Sequence, residues 1–463
     1  VIDERFGVFV SPSGSDTAPG TRAAPFGTLM HAITIAKSSG KRVYACDNGA
    51  HYLETVTIDS TTDGVSLFGG FSCAAWTYSL GTRAQVASLS GPALVIRGTS
   101  MSVLVENFAF SSPDATTPGD SSIGAIVAST SSVVLRGVRI LAGNGAAGRN
   151  GVDGGVGDPA PSPGGGQVGM RATCIADAGS AQLGGSWPSA TTCAFSSGSR
   201  GGLGGLGSTA NGGNGISGTP GNANNGGAAG QQGMPGSAGL PGNTGTMTTS
   251  TGTFSATGYA AAPSAGGGTN GVVGQGGGGG GGSDVPAPLQ SLNCLGASGG
   301  AGGMGGCGGQ AGTGGSGGGA SIALLIWMSP VVLDACDLQA SNGGTGGNGG
   351  NGGAGGMGTA GGTGGVALAT DAGASISAAG NGGLGGNGGS GGPGAGGNGG
   401  PSYALVFRGS PPTRNNQTTL QVPALGGGPG GLGGTAPGVA TRAPSGALGA
   451  AAMEFAIPTE AGP

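Results

Sequence analysis

Residues 343–366 read GGTGGNGGNGGAGGMGTAGGTGGV, eight triplets of which nearly all are Gly-Gly-X. Related arrays occupy 299–319, 382–401 and 426–434, and each borders a short apolar segment. Glycine-rich sequence ordinarily belongs to flexible linkers. The three-residue period offers another solution. A left-handed extended helix of the polyproline-II type has three residues per turn and rises about 3.1 Å per residue. With glycine at two positions of three, neighbouring helices can approach closely and exchange backbone hydrogen bonds, which satisfies N–H and C=O groups that would otherwise need water. The X residues then line an edge, and Thr345, Asn348, Asn351, Asn387 and Asn398 are the candidate exposed array surface. The alternative, a disordered array, is favoured by the entropy lost when glycine is ordered. A break in the triplet frame at Gly394-Ala395 is a candidate chain reversal, and 230–245 (GQQGMPGSAGLPGNTG) fits one more helix of the same kind.

The chain around the arrays is different. Thr28–Lys37 places Leu29, Ala32, Ile33 and Ala36 on one helical face, with Thr28 as N-cap and Gly40 near the end. Short strands are expected at Val8–Val10, Arg42–Ala45, Glu54–Ile58, Val65–Phe68, Ala93–Arg97 and Val103–Phe110. Ile123–Gly145 then aligns without gaps on Ser321–Gly343, so that Val133-Val134-Leu135 matches Val331-Val332-Leu333. Weaker copies follow at Val366–Gly382 and Tyr403–Leu425, with a last strand in Ala447–Ile457. A strand pair of this size buries its apolar face only by stacking on neighbours, the logic of a solenoid. Alternation points Val134, Val138 and Ile140 inward, with Val332, Cys336 and Leu338 in the same places. Each glycine excursion is expected to leave from an equivalent strand end, at Gly143, Gly343, Gly382 and Gly426.

The opening segment FVSPSGSDTAPGTRAAPFGTLMHAI, through Ser11, Pro12, Gly14, Asp16, Gly20, Thr21, Pro25, Phe26, Thr28, Leu29 and Ala32, resembles the N-terminal cap of secreted right-handed parallel β-helix proteins of the pectin-lyase-like type. The arrays resemble, in repeat type alone, the tips of phage tail-fibre adhesins and a small glycine-rich antifreeze protein. The resemblance implies an all-β fold: a right-handed parallel β-helix with a polyglycine-II bundle inserted between coils. It divides the chain into a cap and first coils (1–142), a long glycine-rich insertion (143–319), and further coils alternating with excursions (320–463).

Composition narrows function. Of 463 residues, 119 are Gly and only 7% are charged; net charge is −4. With 15 Lys and Arg and no basic patch, phosphate neutralisation has no basis, so nucleic acid is not an expected partner. No apolar run is long enough to span a membrane. The spacing of the seven cysteines does not suit zinc ligation. Cys46, Cys73, Cys174, Cys193, Cys294 and Cys307 are candidate disulfide formers, most simply as Cys46–Cys73, Cys174–Cys193 and Cys294–Cys307, and imply an extracellular or cell-surface location. Cys336 reads as a buried free thiol. The sequence opens on Val1 without Met or a signal peptide, which is the expectation for a mature or trimmed secreted product.

Chemistry is sparse. Pectin-lyase-like enzymes use carboxylates, often with calcium, and an Arg or Lys base. Asp47, Glu54, Glu106, Asp114, Asp120, Asp334 and Asp337 show no recurring register that would stack them into a calcium site. His31 and His51 are the only histidines, and neither sits in a recognisable triad. Trp76 with Phe71 and Tyr78 suggests cap packing before sugar stacking. No catalytic, cofactor or metal residue is therefore assigned. The expected function is a non-catalytic extracellular structural or adhesive surface protein that self-associates, into a homo-oligomer or fibre, or binds a surface glycan or protein. The alternatives are a polysaccharide-active lyase-like or hydrolase-like enzyme and an ice- or glycan-binding protein.

Overall fold

The structure is a computed structural model and describes residues 2–79, 81–162, 167–174, 181–187, 189–194, 198–220, 225–370 and 373–458. The fold is mostly β. Its three main sheets are built from parallel neighbours, and among the described residues no sheet closes on itself. The first holds Gly7–Val10, Arg42–Asp47, Ser66–Ser72, Val103–Glu106, Val133–Arg136, Val331–Asp334 and Thr413–Arg414 in that spatial order. The second runs from Ala84–Ala87 through Phe108–Ser111, Arg139–Leu141 and Asp337–Gln339 to Thr419–Gln421. The third runs from Val56–Ile58 through Leu94–Arg97, Ser122–Ala128, Ser321–Trp327 and Ser402–Arg408 to Ala451–Ala456. The chain visits the third, first and second sheets in turn, so each circuit adds one strand to each.

The interior between the sheets is one apolar cluster that includes Val43, Leu67, Leu94, Ile96, Val105, Phe108, Phe110, Leu135, Ile140, Leu333 and Leu338. The third sheet is apolar on both faces. Ile123, Ile126, Ile322, Leu325, Tyr403 and Val406 form a second cluster on its outer side. A hairpin from the long insertion, Thr253–Ser255 with Gly258–Ala260, folds back onto that side through Phe254 and Tyr259. This two-sided burial is why Ser321–Trp327 and Ser402–Arg408 are continuous apolar runs without alternation.

One end of the sheets is covered. The helix Leu29–Ser39 forms as its sequence predicts, with Thr28 accepting from the His31 N–H and Gly40 left-handed at φ 65°. It buries Leu29, Ala32, Ile33 and Ala36 against the first strands. The outer edge of Gly7–Val10 bonds to the loop at Gly20 and Phe26, and Tyr52 bonds to the outer edge of Ala84–Ala87.

Three strand expectations need correction. Val133, Leu135, Val138 and Ile140 are fully buried, whereas Val134 is half-buried and Val332 is 38% exposed. Gly137 and Ala335 take left-handed φ of 61° and 53° at the corner between strands. That corner shifts the alternation by one, so 135 and 138 both face inward. The gap-free repeat also slips: Val133 pairs with Val331, but Val127 pairs with Ile326. The turn between those strands is one residue shorter in the second copy. Finally, Val366–Gly382 is no circuit of the sheets. Leu368–Ala369 and Ser375–Ile376 form a small antiparallel hairpin at the tip of an excursion.

Candidate functional site

The glycine arrays are a lattice of extended runs joined by backbone hydrogen bonds. Outbound runs follow strands of the second sheet and continue its parallel stacking. Gly145, Gly148, Gly151, Gly154 and Gly157 donate to the carbonyls of Asn342, Thr345, Asn348, Asn351 and Ala354. Gly343, Gly346, Gly349 and Gly352 donate in the same way to Gly426, Pro429, Leu432 and Thr435. Return runs lie antiparallel to them and lead into strands of the third sheet. Gly347, Gly350, Gly353 and Gly356 donate to Ser316, Thr313, Gln310 and Cys307 on the return run 297–319. Gly388, Gly391, Gly394 and Gly397 on the return run 380–400 donate back to Gly356, Gly353, Gly350 and Gly347. The segment 231–245 joins as a further run, since Gly233, Gly236 and Gly239 donate to Asn381, Leu384 and Asn387.

Gly382 thus opens a return run and is not a departure point. The frame break at Gly394-Ala395 is likewise no reversal. The run continues straight through it and changes neighbours, from 266–281 on one side of the break to 444–447 on the other.

The glycines are needed for contact rather than for unusual backbone angles. None between 343 and 365 has a positive φ. A Cβ on Gly346 would lie 1.9 Å from the Gly397 carbonyl oxygen, and one on Gly347 would lie 1.9 Å from that of Arg149. Each triplet therefore turns two glycine Cα atoms onto neighbouring backbones and leaves only X free to carry a side chain.

On the return run 297–319, Cys307, Gln310, Thr313 and Ser316 donate their own N–H to the Asp158, Gly155, Val152 and Arg149 carbonyls. On the outbound runs the X residue's own N–H is the group left over, and polar X residues on a neighbouring run take it at several positions. Asn150 Oδ1 accepts from the Asn348 N–H at 2.8 Å, and Asn348 Oδ1 accepts from the Leu432 N–H at 2.8 Å. Asp153 accepts from Asn351 at 2.6 Å, and Asn351 from Thr435 at 2.8 Å. Asn387 likewise accepts, at 3.0 Å, from the N–H of a glycine, Gly358, which opens the irregular triplet 358–360. Thr345, Asn348, Asn351 and Asn387 are exposed as expected, but three of the four spend their amide oxygen inside the lattice. Asn398 is buried at 5% exposure, contrary to its expected place on the surface. Its amide donates to the Thr248 and Ser250 carbonyls and accepts from the Ala447 N–H. The partners Asn150, Asp153, Ser316 and Thr313 were not picked out by sequence; their signal is polar character at the X position of a neighbouring run.

Two disulfides clamp the long insertion. Cys46–Cys73 forms as expected, but the other four cysteines pair as Cys174–Cys294 and Cys193–Cys307. The expected Cys174–Cys193 and Cys294–Cys307 do not form. The return run carries Cys294 and Cys307 back beside the earlier segment: Thr173 and Leu295 exchange an antiparallel bridge next to the first pair. Cys336 is free and buried, and burial pushes its thiol up to about 11.

The carboxylates are mostly engaged in holding the fold. Arg136 lies between Asp334 at 2.8 Å and Glu106 at 3.4 Å, and Arg139 reaches Asp337 at 3.2 Å. Glu54 accepts from the Leu29 and Met30 N–H groups at the helix start, and burial raises its carboxyl above the ordinary range despite those bonds. Asp63 is 4% exposed; hydrogen bonds from Lys37 and then Ser100 hold it at about 2. His31 packs edge-on against Phe26, and His51 is exposed in a loop. Trp76 is 7% exposed against Phe9, which is cap packing, while Tyr78 stays open to solvent. Among the described residues no group of three His, Cys, Asp or Glu is placed to hold a metal ion, and no helix is long and apolar enough to cross a membrane.

No family model and no curated protein matches the chain. Among solved structures it is similar to a rhamnogalacturonan lyase at 15% identity and a TM-score of 0.13, covering 30% of this chain and 41% of the lyase. The chain thus spans less than half of that protein's length, and overlap at this level carries no argument for activity. The sheets and disulfides themselves define the class: a mostly β, disulfide-bonded protein of stacked parallel strands.

Proposed function

We propose that this is a non-catalytic extracellular structural or adhesive protein, a right-handed parallel β-helix whose coils send out polyglycine-II runs that pack into a slab. The observation that carries the reading is the lattice itself. Some of its N–H groups go to backbone carbonyls and others to Asn, Asp, Ser or Thr side chains, as a rigid slab requires and a substrate loop does not. The three-residue spacing of the bonds and the absence of positive φ support polyglycine-II geometry. The cyclic visiting order of the three sheets supports the β-helix. Three disulfides support an oxidising, extracellular setting.

Self-association is part of the proposal. The outer edge of Ala451–Ala456 pairs with nothing among the described residues, and it carries no Lys or Pro to blunt it. Light scattering at rising concentration, with micrographs, tests this: a monodisperse monomer without filaments would overturn self-assembly. The non-catalytic part is tested by a polysaccharide turnover screen, where cleavage abolished by a single Asp substitution would refute it. Ice binding has less to rest on, because the Asn amide oxygens that would order water are turned into the lattice.

A further inference from the structure

We propose that the groove between the back-folded hairpin and the turns of the third sheet binds an uncharged oligosaccharide. Its volume is about 590 Å³. One wall is the turns carrying Leu89, Pro92, Asp114 and Asp120; the other is the hairpin, with Thr257 and Tyr259. A hexose presents apolar C–H faces and a hydroxyl rim. The groove offers both complements: an aromatic and aliphatic surface from Tyr259, Leu89 and Pro92, and carboxylate and hydroxyl acceptors around it. Leu89 is 76% exposed, an apolar group the fold leaves in water. The Asp120 side chain makes no hydrogen bond or ion pair among the described residues, so its carboxylate is free to accept from a ligand.

The groove is also preformed. Ala115 donates to the Asn144 carbonyl, Gly119 to Ala147 and Asp120 to Thr117, which fixes the turn; Ser121 Oγ ties it to the Tyr259 carbonyl at 3.4 Å. Charge selects the ligand class. Two carboxylates line the groove and no Lys, Arg or His does, so uronates, sulfated sugars and phosphates are repelled.

This inference deepens the adhesive reading, and its test separates the two. Turnover would refute the non-catalytic reading, whereas the groove is judged by binding alone. Calorimetry on the full chain would use hexasaccharides of neutral glucan, xylan and mannan, with oligogalacturonate and chitosan hexamer for comparison. A neutral hexasaccharide should bind most tightly. Asp120→Ala and Leu89→Ser, both on exposed positions, should each weaken it by about tenfold, the worth of one charge-assisted hydrogen bond or one apolar contact. Leu425→Ser, also at an exposed position but outside the groove's lining, should leave it unchanged. Tightest binding to oligogalacturonate or chitosan, no binding to any neutral hexasaccharide, or binding insensitive to both groove variants would each overturn the proposal.

Discussion

Replacing Gly350 with Ala asks whether the glycine runs are packed or loose, because the two states give effects of opposite sign. Gly350 has no positive φ, so in a loose run the added methyl would restrict the unfolded chain and stabilise by about 0.4–1 kcal/mol. In the lattice its Cβ would sit 2.1 Å from the Val152 carbonyl oxygen and 2.5 Å from its carbon. Backbone atoms cannot swing aside, so the two runs must part by roughly 1 Å to reach ordinary contact distance. That separation falls on the bonds from Gly151 to Asn348 at 2.6 Å and from Gly154 to Asn351 at 2.7 Å. Two weakened bonds, each about 1 kcal/mol net and more where a group is left unsatisfied, add to overpacking of about 1–3 kcal/mol. The expected loss is about 3–5 kcal/mol, concentrated in the excursions. Thr345→Ala, on an exposed X position, is the control and should stay within about 0.5 kcal/mol. Native-state hydrogen exchange at 343–365 and 297–319, with urea unfolding, reads both. A Gly350→Ala chain as protected as the parent, or more stable, would refute the packed lattice.

Asn351→Ala removes an acceptor from the Thr435 N–H and hydroxyl and should cost about 1–3 kcal/mol, read as faster exchange at Thr435. Asp63 has its carboxyl lowered to about 2, so it contributes stability above its unfolded value near 3.8 that is lost as pH falls from there towards 2. Asp63→Asn should flatten the stability profile in that window; an unchanged profile would argue against the Lys37 and Ser100 contacts. Cys336, with its thiol pushed up to about 11, should resist a thiol reagent at pH 8 until the chain unfolds. Peptide mapping without reduction should recover Cys174 linked to Cys294 and Cys193 to Cys307. Each closes a loop of more than a hundred residues, so reduction should cost up to about 5 kcal/mol in chain entropy.

Much of the fold was legible because its determinants are local. The helix Leu29–Ser39 carries its own cap and stripe, and the strand sequences carry their own branched apolar residues. Facing was misread at Val134 and Val332 because it depends on left-handed corners at Gly137 and Ala335, and a left-handed alanine has no sequence signature. Ala84–Ala87 was missed because four residues with one branched side chain give no period to count. Disulfide partners depend on which distant runs lie side by side, so nearness in sequence misled for Cys174, Cys193, Cys294 and Cys307. The candidate surface residues were placed on a face correctly in four of five cases, but that three of the four also serve the lattice was not legible. It requires knowing which N–H groups, such as those of Gly358, Leu432 and Thr435, meet no backbone carbonyl and that a neighbouring run supplies a side chain in its place.

The stacked sheets also explain how so much glycine can be ordered. Alone, each run would face an entropic cost of about 1–2 kcal/mol per residue with few bonds to offset it. The second sheet removes the search. Arg139–Leu141 pairs with Asp337–Gln339 in register; Ala142 then donates to Gln339, Gly145 to Asn342 and Gly148 to Thr345. One layer on, the handover carries a two-residue slip at the turn where Gly426 bonds back to Pro423: Ala340 donates to Gln421, then Gly343 to Gly426 and Gly346 to Pro429. In the first of these layers strand ladder and glycine ladder are one continuous series of bonds, and the offset fixed by buried Ile140 and Leu338 is inherited by residues that bury no side chain at all. Register in a bare glycine array is weakly specified, since every triplet resembles the next. Here the polar X residues that match Asn150 to Asn348 and Asp153 to Asn351 hold the register that the strands set. A change in the strand offset should therefore be felt along the whole excursion. Lengthening the corner before Asp337 by one residue should unfasten 343–365 while leaving Ser402–Arg408 paired with Ser321–Trp327, a pattern hydrogen exchange would separate from global unfolding.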